Sequence, residues 1–167
     1  MKIRLLKINE IETLKGLYRE VVKDMNSRGL YNWNSDYPAI ESLKRDVNNE
    51  SLYVIEEENG DISGAVSIDD NTVEDYNDVQ WSITGPFYTF HRIAIHPSYT
   101  RRGYAKKLIQ FAEELARENR CKSMRIDSYH KNENAINLYK KLGYNYVGDI
   151  SLRNTGEPFY CFEKEIK

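Results

Sequence analysis

The stretch from Phe90 to Glu118 constrains the fold more than any other part of the sequence. Residues 90–95 are mostly apolar or β-branched, which predicts a strand, and Pro97 ends it because proline cannot donate a hydrogen bond to a sheet. Beyond this strand the apolar residues recur at steps of three and four, the period of a helix that buries one face. They are Tyr104, Ala105, Leu108, Phe111, Ala112, Leu115 and Ala116. Gly103 is therefore predicted to lie where a short loop joins a long helix.

The start of this helix is strongly basic. Arg101, Arg102, Lys106 and Lys107 surround it, and no Asp or Glu occurs in residues 91–112. The first N–H groups of a helix have no partner within it, and the helix dipole opposes cations there by about 0.3–1 kcal/mol each. A bound phosphate would remove that conflict, so one interpretation of the pattern is an anion site. The alternative is that the basic side chains point into solvent and tolerate a small penalty.

The residues Thr100-Arg101-Arg102-Gly103-Tyr104-Ala105 resemble the pyrophosphate loop of the GNAT superfamily of acyl-CoA-dependent N-acetyltransferases. That pattern is Gln or Arg, two residues, Gly, one residue, then Gly or Ala, and Thr100 departs from it at the first position. The resemblance implies that the loop binds the diphosphate of acetyl-CoA, largely through backbone groups. The residues implied are Arg101, Arg102, Gly103, Tyr104, Ala105 and Lys106.

A second stretch, HKNENAINLYKKLGY, resembles another signature of the same family. Its pattern is Asn, two residues, Ala, three residues, Tyr, then Gly and an aromatic residue, filled here by Asn132, Ala135, Tyr139, Gly143 and Tyr144. Asn132 is a typical N-cap, and Gly143 is typical of a helix end. Taken alone, Tyr139 would be read as a core tyrosine. The resemblance implies that Asn132 contacts the cofactor and that Tyr139 donates a proton to the departing CoA thiolate.

The strand before the basic loop carries the remaining chemistry. By resemblance, Ile93, Ala94 and Ile95 pair with the pantetheine arm and supply an N–H group to the oxyanion of the reaction. Strand alternation predicts His91, Ile93 and Ile95 on one face, with Arg92 and Ala94 on the other. His91 is the candidate general base, acting through water on the acceptor amine. The alternatives are a structural histidine and catalysis by water alone.

The order of elements predicts one α/β domain over residues 1–167, with a central mixed, mostly antiparallel sheet flanked by helices on both faces. The pattern predicts a helix over Glu10–Met25 with Asn9 as its N-cap. It also predicts a short helix near Pro38, with Ile40, Leu43 and Val47 facing inward. Other strands are predicted over Lys2–Ile8, Leu52–Glu56, Ile62–Ile68, Ser123–Tyr129, Tyr146–Leu152 and Phe159–Ile166. The predicted turns are Asn59-Gly60, in a hairpin, and the connection containing Asn154, Gly156 and Pro158.

Two irregular segments are candidates for contact with a substrate. The aromatic residues between the first two helices either pack on the core or form the wall of a pocket. In the resembling family this region covers the acceptor, which makes Trp33, Asp36 and Tyr37 candidate substrate contacts. The connection over residues 69–87 is acidic, with Asp69, Asp70, Glu74, Asp75 and Asp78. It either attracts a cationic acceptor or is simply a solvated loop.

Composition excludes several classes of function. The formal charge of −2 gives no global basic field for nucleic acid. No apolar run approaches the ~20 residues needed to cross a bilayer, and the N-terminus lacks the features of a signal peptide, so a cytoplasmic protein is expected. Cys121 and Cys161 show no CxxC spacing, which predicts free thiols that are buried or half-buried and supports neither a disulfide framework nor a metal site.

The sequence therefore predicts transfer of an acetyl group from acetyl-CoA to a primary amine of a small molecule or peptide. One alternative is a module that binds acyl-CoA without catalysis. Another is a Rossmann-type nucleotide-binding domain using Asp127, although the loop lacks the G-x-G-x-x-G pattern. The sequence leaves open the identity of the acceptor and the oligomeric state, a homodimer included.

Overall fold

The fold is taken from a computed structural model that describes residues 1–152 and 156–167. Over these residues the chain forms seven strands and four α-helices. The strands are β1 (Lys2–Leu5), β2 (Leu52–Glu56), β3 (Ile62–Asp69), β4 (Phe87–Ile95), β5 (Ser123–Tyr129), β6 (Asn145–Ile150) and β7 (Phe159–Glu165). The helices are α1 (Ile11–Ser27), α2 (Ile40–Asn48), α3 (Tyr104–Glu118) and α4 (Glu133–Lys141).

The strands form a single mixed sheet in the order β1-β2-β3-β4-β5-β7-β6. β1 with β2, β2 with β3, β5 with β7 and β6 with β7 are antiparallel, whereas β4 and β5 are parallel. The predicted α/β fold with a mixed, mostly antiparallel sheet is confirmed. The last two strands form the antiparallel pair that the sequence indicated.

Two units can be recognised along the chain. Unit 1 comprises Met1–Ile68 and His91–Gln110, and unit 2 comprises Asp69–Phe90 and Phe111–Lys167. The assignment of one domain to residues 1–167 stays a prediction.

In unit 1, the β2–β3 hairpin turns where the sequence predicted. Gly60 at the turn has φ of 89°, a left-handed conformation that favours glycine, and its N–H group donates to the Glu57 carbonyl at 3.0 Å. β1 ends at Leu5 and not at Ile8 as predicted. The pairing of β1 with β2 extends only to the start of β2 at Leu52, whose carbonyl accepts the Leu6 N–H group at 2.9 Å. Ile8 instead lies in a 3-10 turn.

The predicted N-cap of the first helix is wrong. α1 begins at Ile11 with Glu10 at its N-cap position, and Asn9 lies inside the preceding 3-10 turn. The Glu10 carboxylate accepts hydrogen bonds from the Arg4 guanidinium at 2.7 and 2.8 Å and from the Lys7 N–H group at 2.9 Å. This carboxylate therefore orders the entry to α1.

The inward face of α2 also differs from the prediction. Leu43 is buried as expected, but Ile40 and Val47 are half-buried and the residue enclosed with Leu43 is Asp46, only 2% exposed. A buried carboxylate is unfavourable unless it is paired. Its partner, described below, lies on β4.

In unit 2, strands β5 and β7 carry much of the core. Met124, Ile126 and Phe162 are almost fully buried, and Cys121 and Cys161 are free buried thiols, as predicted. Burial raises the pKa of Cys161 to about 12. The thiol is therefore protonated at neutral pH and is unsuited to act as a nucleophile.

The acidic connection over residues 69–87 is anchored and is not merely a solvated loop. Tyr76 is buried in a 3-10 turn, and its hydroxyl donates to Asp127 Oδ2 at 2.6 Å. The carboxylate of Glu163, 2% exposed, accepts from the Ser82 N–H group at 2.9 Å and the Ile83 N–H group at 3.2 Å. The acidic side chains divide between exposed Asp70, Glu74 and Asp78 and half-buried Asp69 and Asp75.

The C-terminal elements match their predicted positions with small shifts at the ends. β5 has the predicted bounds, β6 runs from Asn145 to Ile150 in place of Tyr146–Leu152, and β7 ends at Glu165. The predicted turn residue Asn154 lies outside the described residues, and Gly156 has φ of 69°.

Within residues 1–152 and 156–167, no helix has the length and apolar character needed to span a membrane.

Candidate functional site

The basic loop, defined here as residues 100–106, is built on a turn that follows β4. Pro97–Tyr99 forms a 3-10 turn, and the His96 Nδ1 atom accepts the Ser98 N–H group at 3.2 Å. The Thr100 hydroxyl, just after this turn, donates to the carbonyl of Pro97 at its start at 3.0 Å. Thr100, which departs from the family pattern, therefore makes a structural contact with the turn before the loop.

The backbone of the basic loop is shaped to present N–H groups. Arg101 and Gly103 have φ of 62° and 75°, both left-handed, and a residue with a Cβ adopts such a value at a cost of order 1 kcal/mol. Left-handed residues in a loop can turn successive N–H groups to one side, as in anion-binding nests. The first hydrogen bond of α3 runs from the Lys107 N–H group to the Gly103 carbonyl at 3.0 Å. The N–H groups of the residues just before Lys107 therefore have no partner within the helix.

The side chains around this turn are divided between solvent and core. Arg101, Arg102 and Lys106 are exposed, and the first turn of α3 holds no acidic residue. The Arg102 guanidinium lies 4.9 Å from the centroid of the Tyr99 ring, a cation–π contact that limits its freedom. Tyr104 points inward and its hydroxyl donates to Glu57 Oε2 at 3.2 Å. The geometry thus provides exposed cations beside a helix N-terminus, which suits a phosphate.

The strand that leads to the loop is irregular at its centre. Arg92 has φ of 55°, so the regular alternation predicted for residues 91–95 is interrupted there. Ala94 is buried, whereas His91, Ile93 and Ile95 are half-buried. The side chains predicted to share one face therefore cannot be assigned from strand period alone.

A buried polar cluster holds Arg92, and sequence reasoning missed it. The Arg92 guanidinium forms an ion pair with Asp46 of α2, which also accepts the Ser67 hydroxyl at 2.6 Å. The Tyr18 hydroxyl donates to the Arg92 carbonyl at 2.5 Å. Burial disfavours the charged guanidinium, but the Asp46 carboxylate outweighs this, and the pKa of Arg92 is raised. One signal was available: Asp46 lies three residues after Leu43 on the inward face of α2, and Arg92 lies in an apolar strand.

The aromatic loop before α2 packs on this cluster. The Trp33 ring centroid is 6.0 Å from that of Tyr18 and 4.6 Å from that of Tyr37. Trp33 and Tyr37 are half-buried, whereas Asp36 is exposed. Of the three predicted substrate residues, Trp33 and Tyr37 contact each other. Trp33 also contacts Tyr18, whose hydroxyl binds the backbone of β4. Asp36 contributes its backbone to an Asx-type contact, its N–H group donating to Asn34 Oδ1 at 2.9 Å.

Unit 1 also contains an open groove of about 770 Å³. α1 lines it through Thr13, Gly16 and Glu20, and Asp61, His96 and Tyr99 line it from other elements. It includes no residue of the basic loop and none of the three predicted substrate residues, although Tyr99 also contacts Arg102. Its size alone does not connect it with the chemistry that the loop suggests.

In unit 2, Tyr139 is enclosed by other rings. It is 5% exposed and packs edge to face on Phe90 and Phe162, with ring centroids 5.8 and 6.0 Å away. Burial raises the pKa of Tyr139 well above its ordinary value, and the charge of Asp127 raises it further. The phenol is therefore protonated throughout the neutral range, which is the form that can donate a proton.

The other predicted residue of this stretch has a clear local role. The Asn132 side chain accepts the Ala135 N–H group at 3.3 Å, so it caps α4 as the sequence predicted. Gly143, with φ of 89°, follows the helix end. The cap occupies the amide oxygen of Asn132 and leaves its NH₂ group as the one that could face a ligand.

Among the described residues, no group of three or more His, Cys, Asp or Glu side chains is arranged to hold a metal ion.

A strand, a basic loop with left-handed residues and a long helix, set in a seven-stranded mixed sheet, define an α/β protein whose basic helix start is chemically suited to an anion. Comparison with known families narrows this class. The chain belongs to the Acetyltransferase (GNAT) family, whose model matches residues 15–144.

Individual relatives are similar to this chain in sequence or structure over nearly its whole length. The protein named "Uncharacterized N-acetyltransferase YhfO" of Bacillus subtilis (strain 168) is 24% identical over 169 residues, which cover 100% of both chains. A GNAT family acetyltransferase from Streptococcus agalactiae 2603 has a similar structure, with a TM-score of 0.82 and 26% identity over 99% of this chain and 95% of that one. The PaiA N-acetyltransferase of Thermoplasma acidophilum, solved in complex with coenzyme A, superposes with a TM-score of 0.74 at 18% identity, covering 98% of each chain.

Proposed function

We propose that the protein transfers an acetyl group from acetyl-CoA to a primary amine, by direct attack of the amine on the bound thioester. The observation that carries this proposal is the basic loop: left-handed Arg101 and Gly103, a helix start without acidic residues, and Arg102 held over Tyr99. Membership of the GNAT family supports acetyl-CoA as the donor, and the coenzyme A complex of the Thermoplasma relative agrees with it.

In the proposed complex the loop holds the diphosphate. The N–H groups of Arg102, Gly103, Tyr104 and Ala105 face the phosphate oxygens, and the side chains of the basic residues neutralise their charge. The Asn132 NH₂ group is the proposed contact from the second signature. The backbone of Ile93, Ala94 and Ile95 pairs with the amide groups of the pantetheine arm.

The reaction then needs three groups. The acceptor amine, with a pKa near ~10.4 for a lysine-like amine, loses a proton through water to His91 and attacks the carbonyl carbon as the C–N bond forms. A backbone N–H group of β4 stabilises the resulting oxyanion. The C–S bond breaks, and Tyr139 gives its proton to the departing thiolate, being replenished from solvent. Trp33, Asp36 and Tyr37 are the proposed contacts of the acceptor.

The direct test of the function is release of free thiol from acetyl-CoA on addition of a panel of amines. We expect release with at least one class of small amine, amino acid or peptide, and acetylated amine in equal amount by mass spectrometry. Saturable acetyl-CoA binding with no thiol release from any amine would contradict transfer and favour the non-catalytic acyl-CoA-binding module.

Charge reversal at Arg102 tests the proposed phosphate contact. We expect Arg102→Glu to weaken acetyl-CoA binding by about tenfold or more, which corresponds to ~1.4 kcal/mol, because a carboxylate would stand beside the diphosphate. The loss should shrink as salt is raised. Isothermal titration calorimetry at two salt concentrations measures both effects.

The matched control is Arg117→Glu, in the last turn of the same helix. It changes the net charge by the same amount, so a loss confined to Arg102→Glu identifies a local contact. Equal losses in the two variants would mean that only the overall charge matters, and the assignment of Arg102 would fail.

A further inference from the structure

The backbone at Arg92 is held in a conformation that the residue does not prefer. Its φ of 55° lies in the left-handed region, whereas the strand around it is extended. A side chain with a Cβ is strained there, and such residues persist only when their surroundings over-determine them. The surroundings of Arg92 therefore indicate what fixes this backbone.

Three elements of unit 1 converge on this residue. From α1, the fully buried Tyr18 donates its hydroxyl to the Arg92 carbonyl at 2.5 Å. From α2, Asp46 pairs with the Arg92 guanidinium. From β3, the Ser67 hydroxyl donates to Asp46 Oδ2 at 2.6 Å and thereby fixes the carboxylate. Both the main chain and the side chain of Arg92 are thus tethered, each through a partly buried contact.

The tether on the carbonyl also fixes the next N–H group. The Arg92 carbonyl and the Ile93 N–H group belong to one planar trans peptide, so they point in opposite directions. A hydroxyl that binds the oxygen on one side of the strand therefore sets the direction of the N–H bond on the other side. Rotation of this peptide would break the Tyr18 hydrogen bond.

We propose that Tyr18 and Asp46 are positioning residues that aim the Ile93 N–H group at the oxyanion of the acetyl transfer reaction. This inference rests on the proposed function and names which amide of β4 serves it. Neither side chain touches the reacting atoms: Tyr18 acts through the Arg92 carbonyl, and Asp46 acts through the Arg92 guanidinium. Preorganised N–H groups are effective because they need not reorient while the charge develops.

Tyr18→Phe is the sharpest test because it removes the hydroxyl and keeps the ring that packs on Trp33. Loss of one oxyanion donor lowers kcat by about 100- to 1,000-fold in well-studied enzymes. A donor that is misaimed but present should cost less, so we expect a fall in kcat of about 10- to 100-fold. The Kd for acetyl-CoA should stay within about twofold, since the basic loop and the backbone of Ala94 and Ile95, the other proposed cofactor contacts, are unchanged. Thiol release gives kcat, and calorimetry gives Kd.

The control variant is Ser51→Ala. The Ser51 hydroxyl is buried and donates to the Asp46 backbone carbonyl at 3.2 Å, so this variant also loses a buried hydrogen bond in the same unit. It leaves both tethers on Arg92 in place, and kcat should stay within about twofold of wild type. If Tyr18→Phe is too unstable to assay, Asp46→Asn provides a second variant, with the same expected direction in kcat and the same unchanged Kd.

Failure of the positioning role and failure of the proposed function give different results. If wild type releases thiol but Tyr18→Phe and Asp46→Asn keep its kcat, or lose activity only through Kd, the positioning role is overturned. If kcat falls in both variants and not in Ser51→Ala, the role is supported. A wild-type protein that releases no thiol with any amine refutes the proposed function itself. The three-bond HN–Hα coupling of Ile93 gives an independent readout, because rotation of the peptide between Arg92 and Ile93 changes φ of Ile93. The coupling should change in Tyr18→Phe, and an unchanged coupling would contradict the tether.

Discussion

Asp46→Ala is expected to lower the free energy of unfolding by about 3–5 kcal/mol. The variant leaves the Arg92 guanidinium, whose side chain is 11% exposed, without its carboxylate partner. It also removes the acceptor of the Ser67 hydroxyl. Removal of one partner from a buried ion pair is costly because an uncompensated charge stays in a poorly solvated site. Urea unfolding followed by circular dichroism gives the free energy.

The matched variant is the double replacement Asp46→Leu with Arg92→Met. Replacement of both charges by apolar side chains of similar size is often nearly neutral, so we expect it to recover most of the stability lost in Asp46→Ala. A fall of less than 1 kcal/mol in Asp46→Ala would show that Arg92 finds water or another acceptor. In that case the pair does not hold β4.

Tyr139→Phe is expected to lower kcat by about 100-fold or more with a competent acceptor, while the Kd for acetyl-CoA stays close to that of wild type. General acids contribute about 10²- to 10⁴-fold to rate, and phenylalanine removes only the hydroxyl. Because burial and the Asp127 charge raise the pKa of Tyr139, the phenol remains protonated at neutral and mildly alkaline pH. The pH dependence of wild-type kcat should therefore show no loss of activity from ionisation of this residue below pH ~10.

The control for this variant is Tyr129→Phe. Tyr129 is also buried in unit 2, and its hydroxyl donates to Glu157. Its loss should change stability without a comparable fall in kcat. Unchanged turnover in Tyr139→Phe would contradict the role of Tyr139 as a general acid. Its role would then be that of a core residue packed on Phe90 and Phe162.

The elements that sequence reasoning located best are those marked by local chemistry. Gly103 marks the junction just before α3 because only a glycine adopts φ of 75° without strain, and α3 begins at Tyr104 as expected. Asn132 caps α4 because its side chain meets a nearby N–H group, and β5 has the predicted bounds. These signals act over a few residues and can be read from the chain alone.

The elements that were missed depend on partners far apart in sequence. The sequence pattern places Val47, and not Asp46, on the inward face of α2, because an apolar side chain is the usual inward residue of a helix. Its burial makes sense only beside Arg92 of β4. Strand alternation failed at Arg92 itself, since a strand pattern carries no record of a left-handed residue. Tyr18 lies on the buried face of α1, but the hydrogen bond from its hydroxyl to the Arg92 carbonyl cannot be read from helix period.

A crystal structure of the protein with acetyl-CoA tests the central claim most directly. We expect the diphosphate to lie against the basic loop, beside the Arg102 guanidinium. Its oxygens should be within hydrogen-bond distance of the N–H groups of Gly103, Tyr104 and Ala105. A diphosphate bound in the groove beside α1, or anywhere else on the protein, would contradict it.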